Sequence, residues 1–306
     1  AITTISYGSI DSWDVSNQTS MDYLFKDKET FNDYIGSWDV SNVTTMIGMF
    51  SNATSFNQDL TSWDVSNVNT MYGMFYGASS FNQPLYKWDV SNVTTMSSMF
   101  YSATSFNQPI SSWDVSNVTI MASMFSNATS FNQDISNWDV SNVTTMAHMF
   151  GLAFSFNQPL NNWYVNNVTT MDYMFYYATS FNQTISNWNV TNVTIFEKMF
   201  KNSGFNQDLT GEFLTTMADF SNGIPTIENM FTNSELANNT PLSRKIARAL
   251  QIKNYSDISI TDAGLTLPYG FADYSELNQA VDDWIDNSAI TTISYGSIDS
   301  WDVSNQ

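Results

Sequence analysis

Tryptophan returns every 25 residues, at Trp13, Trp38, Trp63, Trp88, Trp113, Trp138, Trp163 and Trp188. No other feature restricts the fold of this chain as much. Phe56, Phe81, Phe106, Phe131, Phe156 and Phe181 keep the same period, as do Met-x-x-Met-Phe triplets such as Met46, Met49 and Phe50. A period between about 20 and 50 residues belongs to stacked units, because one unit cannot bury its own apolar face and must close its core against its neighbours.

Spacing inside a unit predicts its parts. Met96, Met99, Phe100 and Ala103 fall at i, i+3, i+4 and i+7, one face of a short helix with Thr94 or Thr95 at its N-cap. Two turns are marginal alone, so packing must hold them. Trp113 and Val115, in the stretch 110–115, alternate as a short strand would. Stacked copies would form a parallel sheet rising ~4.8 Å per coil. The expected fold is therefore an α/β solenoid of roughly ten coils, each a short parallel strand plus a short helix, with helical caps.

WDVSNVTTM, MFSNATSFNQDIS and MFYSATSFNQPIS carry a resemblance over Trp13 to about Asn206. They are similar to the repeats of BspA-like leucine-rich-repeat surface proteins. The resemblance implies a leucine-rich-repeat-like stack on an exposed surface, extracellular or on a cell or virion, with adhesion or interaction as its role and no catalytic residues. Ala53, Ala78 and Ala103 stand where many such relatives have cysteine.

Beyond Lys201 the pattern decays. TTMADF (215–220) and TIENMF (226–231) read as two degenerate coils, so the repeat region is assigned to 1–240, regular to about 206. Residues 241–271 form a C-terminal capping region, in which Leu242, Ile246, Ala249 and Leu250 make the apolar stripe of a basic helix. Residues 289–306, AITTISYGSIDSWDVSNQ, are identical to residues 1–18, so one full period of 288 residues is followed by the opening of another. Just before this second copy, Leu277, Val281, Trp284 and Ile285 share a helical face, and Asp273 with Glu276 suggests a capping box. In the resembling family such a helix is the N-terminal cap of a stack. Residues 272–306 are then the cap and first strand of a following tandem module, and those four side chains its junction. The 306 residues are expected to be a window in a longer array, whose non-closing end-to-end contacts would make a filament.

The chain has 29 acidic and 9 basic residues, a formal charge of −20, which argues against nucleic-acid or anionic-membrane binding. It has no cysteine and a single histidine, His148, so thiol chemistry and His-rich metal centres are not expected. No apolar run approaches the ~20 residues of a membrane-spanning helix, and AITTISYGSI has no signal-peptide pattern.

Columns of identical residues are the candidate sites. Asp39, Asp64, Asp89, Asp114 and Asp139 form an acid ladder, read either as calcium ligands or as turn-closing carboxylates. Calcium would need several further oxygens, Tyr164 and Asn189 occupy the same column uncharged, and no cofactor is expected. Trp38, Trp63, Trp88, Trp113, Trp138 and Trp163, with Asn57, Asn82, Asn107, Asn132 and Asn157, are structural ladders, the amides bonding from coil to coil. A second ladder in SNV, Asn17 to Asn192, keeps Asn67 where the glycosylation sequon is broken, which favours structural amides. Asn52 and Asn127, in a variable column within Asn-Ala-Thr, are the glycan candidates. His148 is expected at the surface. No phosphate loop, nucleophile elbow or catalytic pair is present, so no enzyme is expected. Two functions follow: an acidic extracellular structural filament whose partners are neighbouring copies, or an adhesin gripping a protein or glycan through the sheet face of the solenoid or an aromatic strip of Tyr76, Tyr101, Tyr176 and Tyr177.

Overall fold

The structure is a computed structural model and describes residues 8–217, 220–252 and 257–265. From residue 20 onward the chain winds in 25-residue coils laid one on the next. Single parallel bridges mark the register: Ser20 to Thr45, Thr45 to Thr70, and so on to Ile195 with Thr226.

The α/β solenoid expected from the spacing does not form. The described residues contain no strand, and their α-helices all lie at Glu212 and beyond. In place of the helix over Met96 to Ala103 runs a chain of overlapping turns. The N–H groups of Met99, Tyr101 and Ala103 bond three residues back to Met96, Ser98 and Phe100. Those of Met96, Ser98, Phe100 and Ser102 leave the coil and reach the carbonyls of Ile120, Ala122, Met124 and Ser126. What breaks the helix is handedness: Ser98 and Ser102 have φ of 56° and 55°. A left-handed residue in each half-turn rotates alternate N–H groups out of the helical direction and along the stack. Gly48, Gly73, Gly77, Asn52 and Asn127 hold the same conformation in the same two columns, and Gly and Asn are the residues that adopt it most readily. Thr94, expected as an N-cap, instead bonds the carbonyl of Asn69 in the preceding coil through both N–H and Oγ1.

The predicted strand fails for a related reason. Trp113 N–H closes a turn on the Ile110 carbonyl, and Val118 N–H closes another on Val115. Side chains bridge the coils here instead: the Trp113 indole N–H donates to the Leu85 carbonyl at 3.0 Å, and Ser112 Oγ donates to Tyr86 at 2.9 Å. A backbone ladder is replaced by a side-chain ladder.

The Met-Phe spacing still delivers the core, because the turn run turns Met96, Met99, Phe100 and Ala103 inward and leaves the pairs between them at the surface. Phe50, Phe75 and Phe100 stack at 5.4 and 5.6 Å. Phe81 and Phe106 stack beside them at 6.1 Å, and the two columns meet within a coil at 4.0 Å between Phe75 and Phe81. The methionines, valines and alanines of the same columns are fully buried around them.

The regular coils end on helices. TIENMF continues the stack, Phe200 N–H bonding Met230, but TTMADF does not: Thr215 to Met217 lie in α1, Glu212–Met217. The short α2, Glu235–Asn238, is capped by Ser234 Oγ accepting from Ala237 N–H. The stripe around Pro241 forms α3, Thr240–Ile252, which buries Ile246, Ala247 and Leu250 and ties Lys245 to Asp208 at 2.6 Å. At the end of α4, Asp257–Asp262, the carbonyls of Asp262 and Ala263 accept the N–H groups of Asn229 and Phe231, two of the donors the last coil turns outward.

Candidate functional site

The stack has a direction. In the turn run the N–H groups that leave a coil go to the following coil, and the alternate carbonyls that leave it accept from the preceding one, so the two edges of this run are unlike. At residues 20–27, the N–H groups of Met21, Tyr23, Phe25 and Asp27 are spent on the next coil, and no described residue donates a backbone N–H to the carbonyls of Asp22, Leu24 and Lys26. Beside them lies an apolar cleft of about 260 Å³ between Trp13, Val15, Met21, Leu24 and Phe25. Trp13 and Leu24 are 41% and 45% exposed there, whereas Trp38, one coil on, is 4% exposed. The junction side chains Leu277, Val281, Trp284 and Ile285, and the second copy at 289–306, lie outside the described residues.

The acid column closes on itself. Asp39 Oδ1 accepts from Ser41 N–H at 3.1 Å and Ser41 Oγ at 2.6 Å, and Asp64 and Asp89 repeat this with Ser66 and Ser91. Asp114 and Asp139 take the N–H of Ser116 and Ser141 at 3.0 Å. The serine hydroxyl, then the serine N–H, holds the Asp39, Asp64 and Asp114 carboxyls below the ordinary range. Among the described residues no three acidic or histidine side chains gather as a metal ligand set.

The asparagine ladders differ in direction. Asn57, Asn82, Asn107 and Asn132 each offer Oδ1 to the backbone N–H 25 residues on, as from Asn107 Oδ1 to Asn132 N at 2.9 Å. Asn157 does the same for Asn182, and Gln133 Nε2 also donates to Asn107 Oδ1. The SNV amides point the other way: Asn92 and Asn117 donate Nδ2 to the carbonyls of Ser66 and Ser91. Trp63, Trp88, Trp138 and Trp163 place their indole N–H groups on carbonyls 28 residues earlier, and Trp38 bonds Ile10. The glycan candidates are half-buried rather than exposed. Asn52 Nδ2 donates to Asp27 at 2.8 Å and Asn127 Nδ2 to Ser102 Oγ at 3.0 Å.

The aromatic strip divides. Tyr76 and Tyr101 stack at 4.5 Å, but Ser126 and Gly151 follow in that column before Tyr176. Tyr176 packs edge-on against Tyr173 and Tyr177, and Lys198 Nζ donates to Tyr173 Oη at 2.6 Å. His148 is half-buried, stacked on Tyr173 at 4.4 Å with Asp172 3.8 Å away. Burial lowers its pKa against the opposing pull of Asp172.

Three overlapping stretches, residues 1–113, 94–213 and 162–254, match a family described as Mycoplasma protein of unknown function, DUF285. Together they take in well over half of the chain. The chain belongs to the DUF285 family. Membership assigns no activity to any residue of the chain. No curated protein matches the chain.

One further groove was not anticipated from the sequence. About 370 Å³ in volume, it is lined by Asn161, Asn162, Tyr164, Asn166, Asn189 and Glu212, with neighbouring Trp163 and Asn187. The sequence signal was present as WYVNN and WNVTN in place of WDVSN, but within the repeat it read only as a loss of charge.

Proposed function

We propose that this DUF285 chain is a non-enzymatic structural protein of an extracellular or cell-surface fibre, built from 288-residue modules joined head to tail. The observation carrying this reading is the duplication of residues 1–18 at 289–306. An 18-residue identity inside a chain whose shorter repeats vary freely marks a large unit recurring, not a small one drifting. The one-way row of amides supports the reading. The two ends of the stack are unlike, with the turn-run carbonyls of Asp22, Leu24 and Lys26 facing out at one end and α3 and α4 covering the other. End contacts of that kind are heterologous and extend without closing. The apolar cleft at Trp13 and Leu24 is the surface a preceding segment would cover, and in this sequence the segment that precedes AITTISYGSI is 272–288. A charge of −20 would hold neighbouring fibres apart.

The BspA-like resemblance offers the second reading, an adhesin, and the stacked Tyr76–Tyr101 pair is the observation favouring it. Electron microscopy of native material tests the first. Unbranched fibres with one regular axial repeat are expected, and dispersed single particles would refute the fibre in favour of a separate binding module.

A further inference from the structure

We infer that the groove at Tyr164 binds a neutral saccharide. Where the acid ladder reaches residues 164 and 189, aspartate gives way to tyrosine and asparagine, and the serine that elsewhere closes on the carboxylate becomes Asn166. In the coil before, Ser141 N–H bonds Asp139 Oδ1 at 3.0 Å. In this coil that turn bond has no counterpart. Among the described residues, the side chains of Tyr164 and Asn166 and the carboxylate of Glu212 make no hydrogen bond to the protein. Asn162 departs from its column as well. Asn137 and Asn187 donate Nδ2 to carbonyls 26 residues earlier, at 2.9 and 2.6 Å. Asn162 only accepts, through Oδ1, from Asn161 at 3.4 Å.

The groove therefore leaves the side chains of Tyr164, Asn166 and Glu212 and the Asn162 amide donor open, while Asn189 still closes its own turn by accepting Thr191 N–H at 3.2 Å. Tyr164 stands beside them 72% exposed, the most exposed of the large apolar side chains described. An open aromatic face with amide donors and acceptors and one carboxylate matches a pyranose ring, which offers an apolar C–H face and a rim of hydroxyls needing both kinds of partner. The chemistry disfavours other small ligands. No cation lines it to meet an anion, and a single carboxylate is poor provision for a metal. At about 370 Å³ the groove lies near the small end of the ~300–1,000 Å³ that ligand sites occupy. It suits one or two sugar rings at a chain end or branch. The site does not depend on the fibre, and failure of either reading leaves the other standing.

The test uses the 306-residue protein and saturation-transfer NMR with three neutral probes: maltotriose, lactose and N,N′,N″-triacetylchitotriose. At least one should receive saturation from the protein's aromatic protons, with a Kd in the range of roughly 0.1–10 mM expected of a shallow polar site. The double variant Tyr164→Asp, Asn166→Ser restores the residues the other coils use there, so it should keep the fold, checked by a melting temperature no lower than the parent's. It should weaken binding at least tenfold. Absence of transfer to all three sugars, or equal transfer to parent and variant, would overturn the proposal.

Discussion

Replacing Trp113 by phenylalanine removes the indole N–H and part of the ring while leaving an aromatic face in the core. The indole donates to the Leu85 carbonyl at 3.0 Å, and Trp113 is 3% exposed. That carbonyl also accepts Trp88 N–H at 3.1 Å. The substitution therefore deletes one of two bonds rather than stranding the acceptor, a loss of about 1 kcal/mol. The smaller ring leaves roughly 40 Å³ unfilled, about 1 kcal/mol at ~24 cal/mol per Å³, and the lost apolar transfer adds a similar amount. The total expected is about 2–3 kcal/mol. Stacked repeats need not unfold in one step, so hydrogen exchange read by mass spectrometry is the suitable assay. The amides of Met96, Ser98, Phe100 and Ser102, which bond the next coil, should lose protection by one to two orders of magnitude. Trp13, in the same column but 41% exposed, is the control, and Trp13→Phe should cost less than about 0.5 kcal/mol. A loss below about 0.5 kcal/mol at Trp113 would refute the claim that indole bonds hold the coils together.

Three further predictions follow from the geometry. Asn107→Ala removes the acceptor for Asn132 N–H and Gln133 Nε2 and should cost about 1–3 kcal/mol in urea unfolding, whereas Asn107→Asp keeps the acceptor and should cost distinctly less. Gly204→Ala would drive a Cβ into the Thr179 carbonyl of the preceding coil; a loss of about 1–3 kcal/mol is expected, and a neutral result would contradict the close approach of backbones there. The carboxyls of Asp14, Asp39, Asp64 and Asp114 are held below 3.8 by serine hydroxyls and N–H groups. A carboxyl depressed in the folded state stabilises above its unfolded pKa and loses that contribution as pH falls through the folded one. Below about pH 4 the melting temperature should therefore drop; a melting temperature climbing steadily to pH 2 would show that the turn bonds do not favour the ionised form.

The repeat and the identity of its core columns were legible in the chain. Trp, Phe, Met and Val recur at fixed positions, and burial of their stacked faces is what makes the repeat necessary. The local conformation was not. The i, i+3, i+4 spacing of Met96, Met99 and Phe100 fits a helix, but it fits equally a succession of three-residue turns whose alternate N–H groups bond sideways. What distinguishes them is the columns at 98 and 102, filled elsewhere by Gly48, Gly73, Gly77, Asn52 and Asn127. Read as a variable surface, that column looked like a place for glycans; read as a left-handed one, it forbids the helix. His148, Leu152 and Tyr173 hide the signal, because they adopt the same φ without the residue types that advertise it. The asparagine and tryptophan ladders were legible as coil-to-coil partners, though not their opposite directions, since polarity is set by which backbone groups the turns leave unspent. The Tyr164 groove stayed hidden because it is defined by bonds the coil no longer makes.

The mass of the natural polypeptide under denaturing conditions bears most directly on the fibre. If modules follow one another in a single chain, the mass should exceed the 34.5 kDa of these 306 residues severalfold. It should also step down in increments of one 288-residue unit on limited proteolysis. A single species no heavier than one such unit would contradict a covalent array.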